Sequence, residues 1–322
     1  MDKHRLLRRL GILIKLVVVP AFLGVLAVKL FNDPRLGLFK VDPIFIVVAL
    51  LVNQIALFLF ALRMRLVLRV FDVKISYIQS LRIHLQSMLY YFILPMTVGL
   101  EVARFAKIKS ILGNKTQAAT LGSALVADRL TGAIAALIWA AVLLPTISVK
   151  VVTQRDWKLP VIFILGGCIG LMVIVSLHGK IRLYVKELVR LCRSGRKVLW
   201  LALMVAMLTQ LFFSLGVYFA ARGGNLDITF IQTLFAISAA MLFIVIPISF
   251  AGVSPVEAAG VGIMVGMGVP VVQAAIFALF VYLAKLIAAF EGGAWELYEG
   301  GGHVSRRLFA KVVRGDSDNE HI

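Results

Sequence analysis

The chain has 322 residues, 61% of them apolar and 16% charged, with a mean hydropathy of +0.97. Soluble domains run nearer half apolar and a quarter charged, so a water-soluble fold is excluded and a polytopic helical membrane protein is indicated. The charge is lopsided, 34 Lys and Arg against 16 Asp and Glu for a net +18; in so apolar a chain this points to basic loops facing anionic lipid, not to nucleic acid.

In chain order, the basic stretch MDKHRLLRRL precedes an apolar run at 11–30. That run lacks a small-residue cleavage site and carries Lys15, so it reads as a retained first transmembrane helix and not as a signal peptide. Further apolar runs occur at 43–62, 117–146, 159–177, 198–220 and 271–290. Each is near or above the ~20 residues that cross ~30 Å of hydrocarbon. Two other regions, 81–110 and 230–268, are interrupted by Pro and Gly and carry acidic residues, so they do not read as simple spans. With the N-terminus inside and both broken regions re-entrant, 24 Lys and Arg fall inside and 6 outside, while Lys15, Lys29, Arg129 and Lys285 lie within the runs. That asymmetry is what the positive-inside rule expects. Reading 81–98 as a full span would instead place Arg104, Lys107, Lys109 and Lys115 outside.

The predicted fold is therefore an all-α polytopic membrane protein with about six spanning helices and two re-entrant broken hairpins. Residues 1–298 form the transmembrane domain and 299–322 a polar cytoplasmic tail, with both termini on the cytoplasmic side of a bacterial-type inner membrane. The two breaks share an order of Pro, small or polar residues, Gly and then Glu: Pro95, Gly99 and Glu101 in the first, and Pro247, Gly252, Pro255 and Glu257 in the second. Like chemistry inserted from opposite sides is the pattern of an inverted-topology repeat. The two prolines, the Pro255 that follows and the two glycines are the candidate hinge residues. At 178–197, Ile181, Val185, Leu188 and Leu191 recur at helical spacing among Lys and Arg, which fits either a basic amphipathic segment on the membrane surface or a solvated loop. Cys168 and Cys192 lack metal-ligand spacing and read as unpaired thiols.

Charges inside apolar runs cost roughly 3 kcal/mol each at the bilayer centre, so each is expected to face a partner or a wet cavity. Glu101 and Arg104 are three apart and share a face if the segment after Gly99 is helical. They form either a cavity wall offered to a polar head group or an ion pair ending a helix, with Lys107 and Lys109 as snorkelling cations. Asp128 and Arg129 are adjacent and point about 100° apart, so each needs a partner from another helix, structural or ligand. Glu257 follows Pro255 and sits in a first helical turn, suited to capping or to a proton or head-group site. Lys285 either snorkels toward the cytoplasmic surface or meets a partner such as Glu257. Asn53, Gln54, Gln86 and Gln210 read as inter-helix hydrogen-bonding groups, Tyr90, Tyr91 and Trp200 as interfacial anchors, and His84 as an interfacial imidazole. The sequence holds no GxxxxGK[ST], HExxH or GxSxG motif and no Cys/His cluster, so no catalytic activity, nucleotide, metal or other cofactor is expected.

Three stretches resemble one family: LPMTVGLEVARFAKI, SALVADRLTGAIAALIWAAVLL and IPISFAGVSPVEAAGVGIMVGMGVP. In this order they are similar to motifs of the lysylphosphatidylglycerol synthase transmembrane region, a flippase-like family. The resemblance covers roughly residues 10–298 and implies a lipid-translocating membrane domain. In the multiple peptide resistance factor a similar region moves aminoacylated phosphatidylglycerol between leaflets and is joined to a soluble aminoacyl transferase domain. These 322 residues hold no such domain, so the synthase activity is not carried over. The resemblance marks Glu101, Arg104, Asp128, Arg129 and Glu257; it departs at Val98-Gly99-Leu100, where one Gly stands in place of a frequent pair. The expected function is movement of an anionic or phosphate-bearing lipid. Arg104 and Arg129, with Lys285, would hold the phosphate, and Glu101, Asp128 and Glu257 would balance these cations. The alternative is a non-transporting partner of a lipid-modifying or glycosyl-transfer enzyme, docking through 178–197.

Overall fold

The computed structural model describes residues 42–93, 98–113, 117–151, 195–245 and 253–299. The apolar runs 11–30 and 159–177, both cysteines, nearly all of the basic segment 178–197 and the tail from 300 lie outside the described residues. Those that are described form eight α-helices and no strand: α1 (Pro43–Val70), α2 (Tyr77–Ile93), α3 (Val98–Leu112), α4 (Ala118–Val151), α5 (Arg196–Gly223), α6 (Phe230–Met241), α7 (Pro255–Gly266) and α8 (Val271–Tyr298). A short 3₁₀ turn, Leu242–Val245, ends α6.

Helices α1, α4, α5 and α8 are long and apolar enough to cross a membrane. They contain the runs at 43–62, 117–146, 198–220 and 271–290 and extend beyond them. Helix α1 starts where Asp42 caps the Ile44 amide at 2.9 Å and Pro43 occupies the first turn, then continues past Leu62 because Leu66, Val67 and Leu68 prolong its apolar face into the core. The other four helices are short, 17 and 15 residues in α2 and α3 and 12 each in α6 and α7. At 1.5 Å per residue none of them spans ~30 Å alone.

The short helices pair as hairpins. Near the break after Ile93, Tyr91 and Phe92 cluster with Leu100; farther away, His84 meets Arg104. The two helices therefore run antiparallel, and the chain enters and leaves at one end, as the re-entrant reading requires. In the second hairpin Gly260 packs on Ala240, and Val256 shares a pocket with Met241. Capping boxes set two of these starts, Thr229 with Gln232 on α6 and Ser254 with Glu257 on α7.

The halves are inverted. Each reads long helix, hairpin, long helix: α1 to α4, then α5 to α8. Helices α1 and α5, which correspond, lie antiparallel along their whole length. The Asp42 amide donates to the Gly223 carbonyl, Gly216 sits against Ala49 and Asn53, and Gly195 lies against Val70. A Cβ on Gly216 would come within 3.2 Å of the Ala49 carbonyl oxygen, so glycine is what lets the backbones approach. The hairpins consequently enter from opposite ends of the α1–α5 pair. They also exchange partners: α2 packs on α8 and α6 on α4. The outer faces of α1, α4 and α5 carry exposed Leu51, Phe58, Val142 and Leu201, as surfaces bathed in lipid tails do.

Candidate functional site

Both hairpins and four long helices converge on a cavity of about 140 Å³ that is partly open to its surroundings. Its polar wall is built around Asp128 of α4, which is 1% exposed. Arg63 of α1 grips this carboxylate with two bonds, Nε to Oδ1 at 2.8 Å and Nη2 to Oδ2 at 3.0 Å. Its guanidinium also lies 5.1 Å from the Phe60 ring centroid. Gly132 leaves room for it, since a Cβ there would stand 2.8 Å from Arg63 Nη1.

Arg104 of α3 is held differently. Its Nη1 sits 3.5 Å from Asp128 Oδ2 and 3.4 Å from Glu101 Oε1, while Nη2 donates to His84 Nδ1 at 2.7 Å. A guanidinium has only donors, so His84 accepts at Nδ1 and its proton resides on Nε2. The ring stacks on Phe60, with centroids 5.1 Å apart. Arg104 Nε, Glu101 Oε2 and His84 Nε2 are all buried, and among the described residues none of the three has a hydrogen-bond partner. Buried polar atoms are normally satisfied, and these three sit together on residues that line the cavity.

A second charge pair lies at the cavity. Lys285 of α8 bonds Glu257 of α7, and its Nζ lies 5.7 Å from the Tyr91 ring centroid. Glu257 also accepts from the Ser254 amide and hydroxyl, both at 2.7 Å, which closes the capping box and fixes the carboxylate at the mouth of α7. Replacing Ser254 with alanine is expected to cost about 1 kcal/mol, read as a lower melting temperature that Ser254→Thr restores.

The structure brings Glu101, Arg104, Asp128, Arg129 and Lys285 onto one cavity, with Glu257 behind Lys285. Of the proposed hinge residues, Gly99 is buried in the first turn of α3 and Pro255 is the first residue of α7; Pro95, Pro247 and Gly252 lie outside the described residues. Several expectations are corrected. Of the two readings of Lys285, pairing with Glu257 holds and snorkelling does not, because it sits at the middle of α8, fourteen residues from Val271 and thirteen from Tyr298. Lys107 is likewise buried and pairs with Glu296 at 2.6 Å. Tyr90 and Tyr91 are buried and not interfacial, the Tyr90 hydroxyl donating to Glu296 at 3.0 Å. His84 is 1% exposed inside the cavity wall. Trp200, by contrast, is outward and exposed, and Gln54, Gln86 and Gln210 bond across helices to Glu291, Glu299 and Ser238.

Arg63, just beyond the apolar run 43–62, is not a loop residue: Leu66, Val67 and Leu68 continue the helix past it and carry it into the cavity wall.

A family model described as the lysylphosphatidylglycerol synthase TM region matches residues 12–290. The chain belongs to this family. It is a membrane-embedded, multi-pass protein of the flippase-like type, a family defined by a membrane region and not by a catalytic one. No curated protein and no solved structure matches the chain.

Proposed function

We propose that the protein moves an anionic, phosphate-bearing lipid between the leaflets of a bacterial-type inner membrane, with both termini in the cytoplasm. The observation that carries this reading is the cavity itself. It lies between two oppositely inserted hairpins and presents Arg104 and Arg129 beside buried, unpartnered polar atoms. Two oppositely inserted broken elements around a polar site are how alternating-access carriers reach both faces. The 24-to-6 distribution of Lys and Arg supports the orientation. In this reading Arg104 is the exchangeable cation, because its contacts to carboxylates, at 3.4–3.5 Å, are long for charge-assisted bonds, whereas Arg63 is locked on Asp128. The head group replaces those long contacts while the acyl chains stay in lipid.

The test is reconstitution of purified protein into liposomes with labelled phospholipid or polyprenyl-phosphate lipid. Wild-type protein is expected to transfer label between leaflets, and Arg104→Ala to slow the initial rate by about tenfold or more, the effect of losing a charge-assisted bond. No transfer by wild-type protein, or an unchanged rate in the variant, overturns the proposal.

A further inference from the structure

Charge balance at membrane depth names the ligand class more narrowly. This step rests on the cavity being the lipid site proposed above. Among the described residues, the cavity and its immediate partners hold four cations, Arg63, Arg104, Arg129 and Lys285, and three carboxylates, Glu101, Asp128 and Glu257. Asp128 neutralises Arg63, Glu257 neutralises Lys285, and Glu101 lies against Arg104. His84 accepts at Nδ1 from Arg104 and so is a neutral ring. Arg129 is the remainder: it lines the cavity, is half-buried, and has no ion-pair or hydrogen-bond partner among the described residues.

Its position makes the surplus hard to dissipate. Arg129 is eleven residues along α4 from Ala118, inside the stretch of that helix long and apolar enough to cross a membrane. Among the described residues no carboxylate lies within ion-pair distance of Arg129. The apolar runs 11–30 and 159–177 contain no Asp or Glu, and neither do the two hairpin breaks, 94–97 and 246–252.

We infer that the cavity takes a head group of one net negative charge, a phosphodiester monoanion, with Arg129 as the residue that sets this preference. A phosphomonoester carries about −1.5 to −2 at neutral pH and would leave the site anionic. A zwitterionic head group would leave Arg129 uncompensated. The phosphodiester could be that of a glycerophospholipid or of a polyprenyl phosphosugar, since both present the same monoanion.

Binding to the full chain in detergent tests this without requiring lipid movement. The probes are dihexanoyl phosphatidylglycerol, dihexanoyl phosphatidylcholine, dihexanoyl phosphatidic acid and a citronellyl phosphosugar, read by ligand-induced rise in melting temperature. The phosphatidylglycerol or the phosphosugar is expected to bind about tenfold more tightly than the phosphatidylcholine and than the phosphatidic acid. Whichever phosphodiester binds better identifies the lipid class. Arg129→Gln is expected to erase the preference over phosphatidylcholine, and Arg129→Lys, which keeps the charge, to retain it and to control for folding. Equal binding of all four probes, a preference for phosphatidic acid, or an intact preference in Arg129→Gln overturns the inference. Selective binding together with no movement in liposomes would overturn the transport proposal alone.

Discussion

Asp128→Ala is expected to destabilise the protein by about 3–5 kcal/mol, the cost of leaving a buried cation uncompensated. The substitution strands Arg63, which is 7% exposed and makes both of its bonds to that carboxylate, and it removes one of the two anions near Arg104. Among the described residues Arg63 has no other acceptor, with Gly132 on one side and the Phe60 ring on the other. The double variant Arg63→Met with Asp128→Leu is expected to recover more than half of the loss, because an apolar pair of similar volume replaces the ion pair and leaves Arg104 to Glu101. Thermal unfolding in detergent measures both. A single and a double variant that melt together would show that the pair contributes by packing and not by mutual neutralisation.

Gly292→Ala is expected to cost about 3 kcal/mol, near the upper end for overpacking a close contact. Helices α2 and α8 touch backbone to backbone here. A Cβ on Gly292 would overlap the Leu85 carbonyl and stand 2.9 Å from the Gln86 amide nitrogen. Neither atom can swing away as a flexible side chain could, so one helix must shift. The shift would pull on the polar contacts beside it: Glu296 with Lys107 and Tyr90, and Glu299 with Gln86 and Arg82. Gly293→Ala is the control, because its nearest neighbour would be Leu89 Cδ1 at an ordinary 3.8 Å. Equal melting temperatures for the two variants would contradict the close helix approach.

Both effects lie at contacts between segments far apart in sequence, and that is where reading the sequence stopped. The four long helices were legible because uninterrupted apolar runs have few structural outcomes in a bilayer, where every backbone amide must be satisfied within its own segment. The hairpins were legible as breaks because Pro and Gly interrupt helical hydrogen bonding at known positions, and Glu257 was legible as a cap because Ser254-Pro255-Val256-Glu257 is a local pattern. Helix ends were less so. Arg63, beyond the run 43–62, reads as a loop cation and Lys107 as a snorkelling one, whereas the helices carry both into the protein to meet Asp128 and Glu296.

The sequence by itself determined that the chain is a helical membrane protein, where four of its long helices lie, which two regions break, and which few charges topology leaves unexplained. These follow from hydropathy, local backbone chemistry and the cost of burying charge, none of which depends on a distant residue. Only the tertiary structure decided the pairings: Asp128 with Arg63, Lys285 with Glu257, His84 with Arg104, and no described partner for Arg129. A side chain's charge is written in its own residue, but its neutralisation belongs to whichever helix packs beside it, and that is set by the inverted arrangement of the two halves.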